Sequence, residues 1–165
     1  MRIIIDGYNY IGRQGGLRGN IEEKRTRLMA DLARYRALKG HTITVVFDGG
    51  RSENVFDEQI SIHGISVCFS RRGEVADDMI VRRMTTEGPG TVVVTSDRVL
   101  QDRVQSGGAL VVSSGEFERR MKDALFPTDK TEGSLANPGQ PTNKKGQAYR
   151  RPKKERRHTL QLKNL

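Results

Sequence analysis

The chain has 165 residues, enough for one domain with an appendage, and its hydrophobic content of 35% is low for a chain that packs throughout. No apolar run approaches the roughly 20 residues of a membrane-spanning helix, and the single Cys68 excludes an intramolecular disulfide. Together with a strand-like start in place of a signal peptide, these features predict a soluble, cytoplasmic protein without a membrane partner.

Strand and helix patterns alternate along the chain. In order, they are strand 2–6, loop 7–20, helix 21–38, strand 42–47, loop 51–59, strand segments 60–62 and 65–69, helix 74–87, strand 91–95, helix 97–105, strand 109–112 and helix 113–125. Asn20 with Glu23, and Ser113 with Glu116, form capping boxes that mark two helix starts. This alternation predicts an α/β fold with a mostly parallel sheet and right-handed crossovers.

The basic charge is concentrated in the C-terminal part. From Thr128 onward the chain has ten Lys and Arg against three Asp and Glu, which is +7 of the total +9. Residues 127–149 have the Pro, Gly, Asn, Thr and Lys content of a linker. We therefore predict a domain at 1–126 and a basic, disordered tail at 127–165 that contacts RNA or DNA, or that merely solubilises the chain.

Three apolar runs each end in an aspartate: Asp6, Asp48 and Asp97. Ligands of open α/β sheets bind beyond the carboxyl ends of the strands, so these carboxylates should share one edge. Carboxylates that close repel one another unless a cation lies among them. The pattern therefore predicts a hard divalent metal, Mg²⁺ or Mn²⁺, and phosphate-ester chemistry.

The helix at 74–87 adds more acidic groups. Glu74, Asp77 and Asp78 have the i, i+3, i+4 spacing that places side chains on one helical face. Each acid also has a simpler explanation, because Asp97 could cap a helix and acids in a first turn are favoured by the macrodipole. Asp48 precedes two glycines and could belong to a turn. Asp6 is hardest to explain without a ligand, because a charge at the end of a buried strand needs a partner.

Polar and basic residues accompany this predicted edge. Asn9 could orient a water or phosphate oxygen, or stabilise the glycine-rich turn, and Ser96 could bind phosphate or cap a helix. Arginines suit a polyphosphate backbone, although solvated loop charge explains any single one as well. The candidate RNA contacts are Arg13, Arg51, Arg71, Arg72 and Arg98, with Arg150, Arg151, Lys153, Lys154, Arg156 and Arg157 in the tail.

Four segments resemble the YacP-like NYN domains of the PIN-like nuclease superfamily. They are IIIDGYNYIG at 3–12, VVFDGG at 45–50, RRGEVADDMIVRRM at 71–84 and VVVTSDRVLQD at 93–102. The resemblance spans residues 1–125, with the tail outside it. It implies a compact three-layer α/β/α domain whose acidic cluster binds Mg²⁺ or Mn²⁺ and cleaves RNA. It also implies a connection with translating ribosomes.

Matched by motif, the acidic centre comprises Asp6, Asp48, Asp77 and Asp97. Glu74 and Asp78 match the flanking acids, and Asn9 matches the opening motif. Some PIN-like relatives carry another acid where this chain has Val99, which argues against a full two-metal site.

The leading hypothesis is a metal-dependent endoribonuclease that hydrolyses single-stranded RNA with a metal-activated water, leaving 5′-phosphate and 3′-hydroxyl ends. Asp6, Asp77 and Asp97 would hold one or two metal ions, with Asp48 as a further ligand or as a residue that contacts a ligand. One alternative is an RNA- or ribosome-binding protein with a vestigial acidic site. Another is a small-molecule phosphohydrolase with Asp6 as nucleophile, but the second Asp that such enzymes need is replaced by Tyr8.

Overall fold

The computed structural model describes residues 1–49, 58–127 and 164–165. Strands and helices alternate within these ranges. In chain order they are β1 (Arg2–Asp6), α1 (Gly7–Arg13), α2 (Ile21–Lys39), β2 (Thr42–Phe47), β3 (Glu58–Ile62), β4 (Ile65–Phe69), α3 (Ala76–Glu87), β5 (Val92–Val94), α4 (Arg98–Ser106), β6 (Leu110–Val112) and α5 (Ser114–Leu125).

The strands form one sheet in the order β3-β4-β2-β1-β5-β6. All neighbouring pairs are parallel except β3 with β4, which is antiparallel. Asp6 is level with Val46 of β2, and Ile5 with Val94 of β5, so the carboxyl ends of these three strands meet at one edge. The strand order also reverses around β1, and this is where α/β sheets form a ligand crevice.

Helices cover both faces of the sheet, because successive strand residues point to opposite sides. On one face Ile3 and Ile5 pack in a core with α1, α2 and α5, which includes Leu32 and Phe117. On the other face Ile4 packs with residues of α3 and α4. The predicted α/β/α fold with a mostly parallel sheet is therefore confirmed.

Local capping explains where the helices begin. The Asn20 side chain accepts hydrogen bonds from the backbone N–H groups of Glu22 and Glu23, and the Ser113 hydroxyl accepts one from Glu116. Gly40 ends α2 with φ of 68°, a left-handed conformation that glycine adopts without a steric penalty. These boundaries agree with the sequence predictions.

Three predicted segments differ from the structure. Residues 7–13 were predicted as loop but form α1. The glycines in this segment have low helix propensity, and the N-cap hydrogen bond to the Asp6 side chain favours the helix despite them. In addition, α3 begins at Ala76, since Val75 is extended with ψ of 154°, so Glu74 lies outside the helix. The antiparallel strand β3 starts earlier than predicted, at Glu58, and the rest of the predicted 51–59 loop lies outside the described residues.

The C-terminal residues contact the domain. Leu165 is buried in the core beside α2, and the Tyr35 hydroxyl donates a hydrogen bond to its carbonyl oxygen. His41 Nε2 lies 3.1 Å from the Asn164 carbonyl oxygen. Leu165 is therefore not part of a free end, whereas most of the predicted tail, 128–163, lies outside the described residues and the boundary at 126 stays a prediction. No helix in the described part of the chain is long and apolar enough to cross a membrane.

Candidate active site

Asp6 lies at the centre of the carboxyl edge, at the end of β1. Its Oδ1 accepts a hydrogen bond from the Asn9 N–H at 3.2 Å, and its Oδ2 accepts one from the Thr95 hydroxyl at 3.1 Å. Burial raises the pKa of Asp6 from 3.8 to about 6 despite these hydrogen bonds, and the charges of Asp77 and Asp97 raise it further. The buried Asp6 carboxylate is therefore close enough to Asp77 and Asp97 to be repelled by their charges.

Asp97 follows β5 and is exposed to solvent. Its Oδ1 accepts a hydrogen bond from the Leu100 N–H at 3.0 Å, so it caps α4, as its simpler interpretation predicts. Its own N–H donates to the Thr95 hydroxyl oxygen at 3.1 Å. Because that hydroxyl also donates to Asp6, Thr95 couples the two aspartates.

Asp77 joins the same group from the first turn of α3, where it is half-buried. Burial raises its pKa most, followed by the charge of Asp97, whereas Arg103 lowers it. The charges of Asp78 and Asp48 raise it further, and Asp48 is exposed just beyond β2. The four predicted catalytic aspartates are therefore linked by mutual repulsion at one edge of the sheet.

The two flanking acids contact arginines instead. The Glu74 carboxylate lies 3.1 Å from Arg82 Nη2 and 3.5 Å from Arg71 Nε. Asp78 accepts a hydrogen bond of 2.6 Å from Arg103 Nη2. The structure thus brings Asp77 to the aspartate cluster and engages Glu74 and Asp78 in ion pairs beside it.

A polar network fixes three strand ends relative to one another. Asn9 Oδ1 accepts hydrogen bonds from the Ser96 N–H at 2.9 Å and from the Ser114 hydroxyl at 2.8 Å. The Ser114 N–H in turn donates to Ser96 Oγ at 3.1 Å. The Asn9 side chain therefore connects the segments that follow β1, β5 and β6, whereas its alternative interpretation had it stabilise the glycine-rich turn.

Sequence reasoning missed two members of this site. Thr95 and Ser114 are buried and polar, at relative exposures of 0% and 1%. The only signal for Thr95 was its place between a buried strand and Ser96-Asp97, and Ser114 was hidden in a predicted helix. Both act through contacts between distant segments, which a local pattern does not reveal.

The predicted RNA-contacting residues divide into two groups. Arg13, Arg71, Arg72 and Arg98 are exposed, and Arg71 also contacts Glu74. The others lie outside the described residues: Arg51, Arg150, Arg151, Lys153, Lys154, Arg156 and Arg157.

The aspartates have the donor chemistry of a hard divalent cation, since Mg²⁺ and Mn²⁺ prefer carboxylate oxygens. Mutual repulsion among them is the electrostatic condition that a cation would relieve. Within the described ranges, however, no three acidic, histidine or cysteine side chains stand in an arrangement that could hold a metal ion. The residues fit a metal by chemistry and charge, and their side chains would have to draw together around it.

The profile of the YacP-like NYN domain matches residues 3–163. The crystal structure of a tryptophan-to-leucine mutant of Rae1 (YacP) from Bacillus subtilis is 30% identical with a TM-score of 0.64, covering 75% of this chain and 77% of that chain. The crystal structure of Rae1 (YacP) from Bacillus subtilis without that substitution is 28% identical with a TM-score of 0.64, covering 75% of each chain. No curated protein matches the chain significantly.

The fold and the family match define a PIN-like nuclease domain, which supports a ribonuclease role. The chain belongs to the YacP-like NYN domain family. Nucleases with this domain generally use divalent metals and act on RNA. The match extends into the basic segment, so the expectation that the resemblance ends at residue 125 was wrong.

Proposed function

We propose that the protein is a divalent-metal-dependent endoribonuclease that hydrolyses single-stranded RNA in the cytoplasm. The observation that carries this proposal is the convergence of Asp6, Asp48, Asp77 and Asp97, from four separate segments, at the carboxyl edge of the sheet. The charges of Asp77 and Asp97 raise the pKa of Asp6, and the charge of Asp97 raises that of Asp77, although Arg103 lowers it. Such an arrangement is favourable when a cation completes it.

Asp6, Asp77 and Asp97 would hold Mg²⁺ or Mn²⁺, with Asp48 beside them. A divalent ion bound there would lower the pKa of a coordinated water and would neutralise negative charge that develops on the phosphate. Thr95 would keep the Asp97 backbone next to the Asp6 carboxylate, because its hydroxyl donates to Asp6 and accepts from the Asp97 N–H.

Exposed arginines around this edge would bind the RNA backbone. Arg13, Arg72 and Arg98 have the planar guanidinium groups that bind phosphate oxygens in pairs. Arg51 and the basic residues of 150–157 extend the same charge along the sequence. We propose a message bound to the ribosome as one substrate of this surface.

The test is cleavage of a labelled single-stranded RNA in Mn²⁺, with and without EDTA. Wild type should cut the RNA only without EDTA, and Asp97→Asn should abolish cutting while retaining helix α4, because asparagine is also a good N-cap. The matched control is Asp123→Asn, a charge-neutralising change on the exposed surface of α5 that should leave cleavage intact. If wild-type protein cut neither free RNA nor ribosome-bound message, the proposal would be wrong.

One observation favours a second function, an RNA- or ribosome-binding protein with a vestigial acidic site. Among the described residues, no cluster of three or more acidic, histidine or cysteine side chains is already arranged to hold a metal ion. This alternative predicts tight RNA binding that weakens with salt and is unaffected by EDTA, with no cleavage in either condition. The same assay therefore separates the two functions.

A further inference from the structure

A concave feature lies between α2 and the hairpin of β3 and β4. It is a cavity of about 180 Å³ whose apolar walls include Met29, Phe47, Ile60 and Phe69. Pockets for drug-sized ligands measure about 300–1,000 Å³, so this one suits a smaller group such as one planar ring system. We call it the Arg25 pocket, after the cation at its rim.

Arg25 lies among three aromatic rings at this rim. Its guanidinium carbon is 5.2, 5.1 and 5.6 Å from the ring centroids of Tyr8, Phe47 and Phe69. Phe47 and Phe69 themselves are stacked, with an interplanar angle of 25°. Phe69 and Arg25 are half-buried and present flat faces on which a planar ring can stack, whereas Phe47 is 1% exposed and supports them from within the core.

The hydrogen bonds of the guanidinium are directed mainly into the protein. Its terminal nitrogens donate to Glu22 and to the Tyr8 hydroxyl. Arg25 Nε has no hydrogen-bond partner in the described part of the chain, but it is also closed to solvent. A ligand would therefore contact the face of the half-buried guanidinium and not this nitrogen.

One wall of the pocket lies near the end of β1 that carries Asp6. Its wall residue Phe47 immediately precedes Asp48, and its ring packs against Gly7, the residue after Asp6. A Cβ on Gly7 would stand 2.3 Å from the Phe47 ring, so only glycine permits this approach. A ligand in the pocket would therefore lie next to a phosphate held at the aspartates.

We propose that the Arg25 pocket holds one unstacked nucleobase of the RNA, adjacent to the phosphodiester that is cut. This inference rests on the proposed function, for which it names a base-binding subsite. Single-stranded RNA is commonly recognised by stacking of splayed bases on aromatic rings and arginine planes, with hydrogen bonds to base edges. A nucleobase is planar and can stack on the faces of Phe69 and Arg25, whereas an aliphatic side chain of a protein partner has no planar face.

The test compares a short oligouridylate with an oligomer of equal length that lacks all bases. Binding is measured by anisotropy of an end label in EDTA, which gives a preference ratio for bases over backbone. Arg25→Lys keeps the charge but removes the planar group, and Phe69→Leu keeps an apolar side chain but removes the ring. Each should reduce the preference ratio by roughly five- to one-hundred-fold, the range expected for loss of base stacking.

Two controls match these changes in chemistry. Arg34→Lys alters an exposed arginine on the same helix, and Phe126→Leu alters an exposed phenylalanine after α5. Both should leave the ratio unchanged, and all four variants should bind the abasic oligomer as wild type does. Thermal melting establishes that each variant is folded.

The inference is overturned if Arg25→Lys and Phe69→Leu keep the wild-type ratio, or if they weaken binding of both oligomers equally. Cleavage by wild type in Mn²⁺ is measured in parallel. Cleavage with no effect of the pocket variants would reject the base pocket alone. Absence of both RNA binding and cleavage would reject the proposed function together with it.

Discussion

Acidic residues occur in two neighbouring regions of this protein, and their surroundings differ. At the strand ends, Asp6, Asp77 and Asp97 raise one another's electrostatic energy. Asp78, next to Asp77 in α3, is paired with Arg103. Glu74, just before α3, is paired with Arg82. The flanking acids are therefore neutralised mainly by arginines, whereas repulsion between carboxylates and burial dominate at the cluster.

The largest expected effect is on the rate of RNA cleavage, and it should differ between the adjacent residues Asp77 and Asp78 of α3. Asp77→Asn should lower cleavage by about 10²-fold or more, because loss of a metal ligand removes several kcal/mol of transition-state stabilisation. Asp78→Asn removes an equal charge from the ion pair with Arg103 and should have a much smaller effect. Single-turnover cleavage rates in saturating Mn²⁺ measure both, and equal losses would contradict the distinction between the two regions.

A second prediction concerns stability, and its sign follows from the pKa of Asp6. Below pH 3.8 the carboxyl is protonated in both folded and unfolded chains. Between that pH and about 6 the unfolded chain loses the proton first, so the free energy of unfolding falls as pH rises. Above pH 6 both states are ionised, and burial of the Asp6 carboxylate lowers the free energy of unfolding by its full amount, about 3 kcal/mol at most.

Asp6→Asn should therefore stabilise the metal-free protein by about 1–3 kcal/mol at pH 7 while abolishing cleavage. Urea unfolding in EDTA from pH 4 to 8 measures this, with Asp123→Asn as the control that follows wild type. A variant that is less stable than wild type at pH 7 would mean that the hydrogen bonds to Asp6 outweigh the cost of its burial.

The smallest effect is expected in the arginine-paired region. Glu74→Gln should destabilise the protein by about 1 kcal/mol, because the side chain is 11% exposed and its partner Arg82 is 46% exposed. Unlike the change at Asp6, this loss should diminish in high salt, and cleavage should remain near the wild-type rate. Urea unfolding at two salt concentrations tests it, and a gain in stability would contradict the assigned role.

The comparison also shows what the sequence could predict. Asp6, Asp48 and Asp97 were predictable because each ends a buried run, and parallel strands bring their carboxyl ends together. The partners of Glu74 and Asp78 were not, since Arg82 and Arg103 reach them only once α3 and α4 have packed. The i, i+3 spacing predicted that Glu74 and Asp77 share one helical face. The helix begins only at Ala76, because the backbone at Val75 is extended, so Glu74 lies outside it.

The helix after β1 and the Arg25 pocket were missed for the same reason. Propensity argues against a helix that contains Gly7 and Gly12, yet the Asp6 cap and the tight contact of Gly7 with Phe47 favour it. The rings around Arg25 come from Tyr8, Phe47 and Phe69, which are distant in sequence. Short-range patterns identify where strands end, but not which side chains meet across them.

The burial of Leu165 has a consequence for how the core is completed. Tyr35 and Leu165 are 130 positions apart in the sequence, so their contact closes a very long loop. Bringing the ends of such a loop together costs conformational entropy before the contact forms. The part of the core beside α2 that contains Leu165 should therefore be completed late in folding.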